Sequence, residues 1–161
     1  MLLNKDDLII PEHAIRIHQL VTSYKPRQEP GVVLLGFACD EGVRRNHGRV
    51  GAALAPDIIR SQMANFAVHH NFHLYDAGNI ACEGEDLEGA QQTLGHQVQD
   101  ILKDQHFPII LGGGHEVAYG SFLGLFNAYK AHKPRIGVIN FDAHFDLREG
   151  PSASSGTPFW Q

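Results

Sequence analysis

Asp142, His144 and Asp146 place two carboxylates and an imidazole at alternate positions within five residues, directly after the β-rich run 135–141 (RIGVINF). On an extended chain, side chains at i, i+2 and i+4 project to one side. The three groups are therefore expected to converge while Ala143 and Phe145 face the other way. A helix cannot do this, because i+2 points away. Such an arm is a compact chelator for a divalent metal. A polar strand end carrying Asp helix caps would show the same letters, and spacing alone does not separate the two.

His115 tips the balance, because it follows Gly112, Gly113 and Gly114 at the end of another apolar run, where glycine permits a tight turn and close backbone approach. Two competing motifs fail on their letters. A dinucleotide fingerprint beginning at Gly112 needs glycine at 117, where Val117 stands; a zincin HExxH beginning at His115 needs histidine at 119, where Tyr119 stands. What remains is a histidine facing an Asp-His-Asp arm: His115, Asp142, His144 and Asp146. Two nitrogens and two carboxylates suit Mn(II) better than a soft thiolate metal.

The elements that must position these groups alternate short apolar runs with longer periodic segments, the pattern of βα units and a parallel sheet. Residues 32–37 (VVLLGF) read as a strand buried on both faces. A helix is expected from Pro56 onward, a short strand at 72–75, a loop through Asp76, Gly78 and Asn79, and an amphipathic helix over 85–105. A strand at 108–111, a helix at 115–129 and a fourth strand at 135–141 complete the series. In such sheets ligands sit at the carboxyl ends of strands. The three most polar junctions lie there: Asp40 onward, 112–116 and 142–146.

The chain has 161 residues, with 13 basic and 18 acidic side chains for a net charge of −5, and 43% of it is apolar. That is enough for one domain with a genuine core and argues against disorder or coiled coil. Scattered Lys and Arg give no footprint for nucleic acid or an anionic membrane. No stretch approaches a membrane span, and the first ten residues lack the apolar core of a signal peptide. Cys39 and Cys82 form no CxxC pair, so a reducing, cytoplasmic location is expected.

GGGHE (112–116) and FDAHFD (141–146) resemble two of the three metal-binding motifs of the ureohydrolase family of arginases, agmatinases and formimidoylglutamases. CDEGVRRN (39–46), GRVGA (48–52), PDIIR (56–60) and SSGTPF (154–159) resemble the formimidoylglutamase branch in particular. The resemblance spans about residues 31–161, leaving 1–30 as a separate N-terminal segment. It implies a three-layer α/β/α fold with a mainly parallel sheet and two Mn(II) ions at the strand ends. His115 and Asp146 would bind one ion, His144 the other, and Asp142 would bridge them. It further implies hydrolysis of N-formimino-L-glutamate to glutamate and formamide by a metal-activated hydroxide, a step of histidine degradation.

Two positions depart from the arginase branch. The proton-shuttling histidine found there, four residues after the serine matching Ser155, is Phe159 here, which argues against arginase activity. The Asn two residues after the arm is Arg148, a planar partner for a substrate carboxylate. The loop carrying Arg45 and Asn46 follows the first strand onto the same face, where it either contacts substrate or closes the Gly-rich loop; Arg45, Asn46, Ser154 and Ser155 join Arg148 as expected substrate contacts. The family's third motif, a later Asp-x-Asp, is missing, and members are about twice this length, so the resemblance is to their N-terminal half. A sheet open after about four strands exposes an edge, and a homo-oligomer is one expected way to cover it. Two alternatives stand beside the main reading: an agmatinase-like or other guanidine/amidine hydrolase, and an inactive half-domain.

Overall fold

The computed structural model describes residues 15–161. Its centre is β2 (Val32–Ala38), the apolar run expected to be buried on both faces. The alternation is visible residue by residue: Val33, Leu35 and Phe37 enter one core cluster and Leu34 the other. Before it come a one-turn helix α1 (Ile17–Leu20) and a two-residue strand β1 (Thr22–Ser23); after it come α2 (Glu41–Arg45) and α3 (Ala55–Met63). Then follow β3 (Leu74–Ala81), α4 (Leu87–Lys103), β4 (Phe107–Leu111) and α5 (Val117–Tyr129). The sheet runs β1-β3-β2-β4 and every pairing is parallel.

Helices cover both faces. On one, Leu87, Leu94, Val98 and Ile101 of α4 pack against Val33, Leu35 and Phe37, all nearly inaccessible to solvent. Asp86 caps this helix by accepting the Gly89 N–H at 3.0 Å. On the other face, Ile17, Leu20 and Ile59 close over Leu34, Leu74 and Leu111. Helix α5 lies against α4 where Gly120 and Gly124 meet Leu94 and Val98; a Cβ on Gly124 would stand 2.5 Å from the Val98 Cβ. The result is the expected α/β/α layering on a parallel sheet.

Two strands differ from expectation. Strand β3 begins two residues later than the expected 72–75 and runs on through Asp76, Gly78 and Asn79, which had read as loop. A register irregularity opposite Leu34 and Gly36, with Gly78 at φ 76°, absorbs the extra residue. The polar side chains are tolerated because Arg60 of α3 binds Asp76 at 2.7 and 2.9 Å and Asn79 at 2.5 Å.

The expected fourth strand, 135–141, is not part of the sheet. Its place in the count is taken by β1, which the sequence did not signal. Val138, Ile139 and Phe141 are 58%, 83% and 96% exposed, and no strand among the described residues pairs with them. Apolar β-branched composition fits a pleated, packed environment rather than creating one, and this run has neither ladder nor covering layer here.

Candidate metal centre

Strands β2 and β4 are stitched together at their carboxyl ends by the glycine turn. The Gly114 N–H donates to the Cys39 carbonyl at 2.9 Å, and a Cβ on Gly113 would lie 1.9 Å from that same oxygen. Only glycine allows this approach. The turn delivers His115 just before α5, with its ring edge-on to Phe159 at 5.7 Å between centroids.

His115, Asp142 and Asp146 come together. One ligand atom from each lies within 4.8 Å of the others. The His115 Nδ1 faces the Asp146 carboxylate and stands 3.4 Å from Asp142 Oδ2. A hydrogen bond from the His144 N–H holds the Asp142 carboxyl below its ordinary range, and the His115 and His144 rings add to the effect.

The arm reaches this geometry by a different route from the extended chain expected of it. Asp142 Oδ1 accepts the N–H of His144 at 2.8 Å, bending the backbone after the manner of an Asx turn. Asp146 then adopts a left-handed backbone, φ 49°. Positions i and i+4 meet while i+2 swings out: the His144 side chain is 81% exposed, with Nδ1 3.5 Å from Asp142 Oδ1, while His115 faces Oδ2. Asp142 thus lies between two imidazoles.

A second constellation involves Asn46, Arg148 and Ser155. Asn46 Oδ1 accepts from Arg148 Nη1 at 2.7 Å, and its Nδ2 donates to Ser155 Oγ at 3.2 Å. The Arg148 and Ser155 backbones are fixed by N–H donation to Gly156 and Gly42. Arg45, expected among the substrate contacts, is instead a strut. Its Nε binds Glu41, Nη1 binds Glu88 and the Ala153 carbonyl, and Nη2 binds the Glu85 carbonyl. Ser154 is buried, and its hydroxyl accepts the Gly156 N–H inside a tight turn. All the Arg45 donor groups are committed within this network.

Sequence reasoning gave no role to Glu116, the last letter of GGGHE. Its side chain is fully buried, Oε1 accepts the Gly42 N–H at 2.8 Å, and burial pushes its carboxyl pKa up. A Cβ on Gly42 would stand 2.5 Å from the Glu116 Cδ, and one on Gly114 2.0 Å from its Oε2. The joint presence of Gly42, Gly114 and Glu116 was the available signal.

Residues 30–161 match the family model described as the arginase family. The chain belongs to the arginase family. Among curated relatives of this arginase-family chain, formimidoylglutamase from Chromobacterium violaceum is 55% identical over 150 residues, covering 93% of this chain and 48% of the relative. The Nocardia farcinica formimidoylglutamase is 51% identical over 152 residues, with 93% and 49% covered. Trypanosoma cruzi formiminoglutamase, solved with Mn2+, superposes with a TM-score of 0.79 at 31% identity, covering 92% of this chain and 52% of that one. The Bacillus subtilis enzyme shares the fold, with a TM-score of 0.77 at 23% identity over 99% of this chain and 51% of that one. The arginase-family chain therefore spans about half the length of the curated relatives it matches.

Proposed function

We propose that this chain carries one half of a manganese centre that hydrolyses N-formimino-L-glutamate to glutamate and formamide, as in histidine degradation. The observation that carries the reading is the meeting of His115, just past the carboxyl end of β4, with Asp142 and Asp146, on a chain whose Arg148 is held by Asn46. The donor set fits the group: one imidazole nitrogen and two carboxylates converge from separate parts of the chain, a mix suited to a divalent ion of manganese type.

His115 and Asp146 would hold one ion, His144 the other, with Asp142 shared between them. Bound divalent ions supply the positive charge that acidifies water and polarises an amidine. The chain's own residues do the rest. Arg148 presents a guanidinium to a substrate carboxylate, and Asn46 fixes its orientation by taking one of its N–H donors. Phe159 packs its ring edge-on against His115. The substrate is a small molecule. A cytoplasmic location fits two unbridged cysteines, and no described helix is long and apolar enough to cross a membrane.

The second reading, a half-domain that binds metal without turnover, is favoured by the extent of the match, about half of each relative. Calorimetric Mn(II) titration with a formamide-release assay tests both. Manganese binding with formamide release from N-formimino-L-glutamate supports the first reading; binding without release under any complementation supports the second. Release from agmatine in preference to N-formimino-L-glutamate would move the assignment to another amidine hydrolase.

A further inference from the structure

Helix α4 turns an apolar stripe toward the core, and one polar residue stands inside that stripe. Gln91, between Leu87 and Leu94, is 1% exposed. A primary amide taken out of water costs free energy unless its donors and acceptor are matched. Here they are. Nε2 donates to the Glu116 carbonyl at 2.9 Å and to Gln161 Oε1 at 3.3 Å, while Gln91 Oε1 accepts from Gln161 Nε2 at 3.3 Å. The reach to α5 depends on Gly120, where a Cβ would lie 2.9 Å from the Gln91 carbonyl oxygen and hold the two helices apart.

Each partner leads to a different metal-facing residue. Glu116 follows His115 directly, so holding its carbonyl fixes the start of α5 and the backbone that carries the imidazole. Gln161 closes the turn 157–161, in which the Trp160 and Gln161 N–H groups both donate to the Thr157 carbonyl. Within that turn the Phe159 N–H donates to the Asp146 carbonyl at 3.3 Å, and the Phe159 ring meets His115. One side chain on α4 is thus bonded to both segments that bear on the cluster, 25 and 70 positions away in sequence.

Fold stability does not require this amide. Leucine at 91 would suit a stripe already holding Leu87 and Leu94, and the exposed Gln161 would return its own amide to water. The Glu116 carbonyl, at the N-cap of α5, would keep the first intrahelical bond. What would be lost is the fixed relation between the two segments.

We propose that Gln91 is a positioning residue of the metal centre, a single buried amide that sets His115 and Asp146 against each other. It touches neither ion nor substrate and acts through the Glu116 carbonyl and the 157–161 turn. The inference deepens the functional reading above and rests on it for the identity of the ion.

The test compares Gln91→Leu and Gln161→Leu with Gln92→Leu, the same change at the exposed neighbouring position. Three quantities are read on the 161-residue chain: the melting temperature without metal, the Mn(II) dissociation constant by calorimetry, and acrylamide quenching, without metal, of Trp160, the single tryptophan. Gln91→Leu is expected to weaken Mn(II) binding about 10–100-fold, the range for residues that orient metal ligands, and to increase Trp160 quenching. Its melting temperature should match that of Gln92→Leu. Gln161→Leu should raise quenching equally but weaken binding less, because the bond to Glu116 survives. It changes an exposed residue, so it carries the test even where Gln91→Leu does not fold. The double variant should bind no worse than Gln91→Leu, since both changes remove one shared contact. Unchanged Mn(II) affinity in Gln91→Leu, a loss that only tracks melting temperature, or additive losses in the double variant would overturn the inference. A wild type that takes up no manganese would instead remove the functional reading; the inference would then fall if Gln91→Leu left Trp160 quenching unchanged and hold if quenching rose.

Discussion

The Gly42 N–H donates to the buried carboxylate of Glu116 across 2.8 Å, joining the first turn of α2 to the residue beside His115. Gly42 in turn accepts from the Ser155 N–H through its carbonyl. The metal-facing turn and the Asn46–Arg148 constellation are thereby held in one register. Glu116→Ala should cost about 1–3 kcal/mol, the penalty of a buried donor left unmatched. Glu116→Gln keeps the acceptor and removes the buried charge. Burial raises the Glu116 pKa, so the wild type loses stability as pH rises through that value and the Gln variant does not. Denaturant midpoints followed upward from about pH 4.5 should show the wild type falling progressively below the Gln variant as pH rises; parallel curves would contradict this.

Gly113→Ala should be among the most damaging single-methyl additions in the chain. The added Cβ meets the Cys39 carbonyl, a backbone atom that cannot step aside. A loss of at least 1–3 kcal/mol is expected from such overpacking, with weakened manganese binding because His115 rides on the same turn. Gly137→Ala, where a Cβ meets nothing within 4 Å, serves as the control.

Manganese should raise the melting temperature of the chain, since a ligand at about 100 times its Kd stabilises the folded state by about 2.7 kcal/mol. His115→Ala and Asp146→Asn are expected to abolish that rise. His144→Ala should leave most of it, because His144 stands on the far side of Asp142 from the cluster. Equal loss in all three variants would show that the ligands act as one set.

Arg148 and Arg45 should separate by readout. In the complemented enzyme, Arg148→Ala is expected to raise KM for N-formimino-L-glutamate about tenfold or more, as loss of a charged hydrogen bond to substrate. Arg45→Ala should act on stability instead, by about 1–3 kcal/mol, because it strips donors from Glu41 and Glu88. An unchanged KM for Arg148→Ala would remove its carboxylate-binding role.

Acid stability has a named contributor. Hydrogen bonds from Arg44 first, and then Arg45, hold the Glu41 carboxyl at about 2 against a reference value of 4.5. Its folded pKa is depressed, so its contribution is fully present above about pH 4.5 and disappears as pH falls toward 2. Thermal midpoints at pH 6, 4.5, 3.5 and 2.5 should drop across that window. Glu41→Gln should show a shallower drop; an identical slope would place the acid sensitivity elsewhere.

Helix α4 was legible because apolar residues recur at three- and four-residue steps; its Asp86 cap emerged only with the structure. Strand β2 was legible because its run is apolar on both faces. The bend at Asp142 was not: its letters serve an extended arm and an Asx turn equally well, and only the side chain's choice of the His144 N–H decides. Arg45 and Arg148 were indistinguishable as sequence, since the partner that commits Arg45 is Glu88, 43 positions away. The run 135–141 misled for a similar reason, its strand propensity carrying no information about whether a neighbour is present.

Asp146 sits in the left-handed backbone region, where Asp, Asn and Gly are at ease and longer or branched side chains are not. Folding alone would therefore admit any of those three at this position, whereas holding a cation keeps only the first. Glutamate, the conservative exchange by charge, is poor on backbone grounds. In a library recovered on solubility, position 146 should drift to Asn and Gly; recovered on manganese, it should stay Asp. One position thus records which of two demands a lineage has been answering.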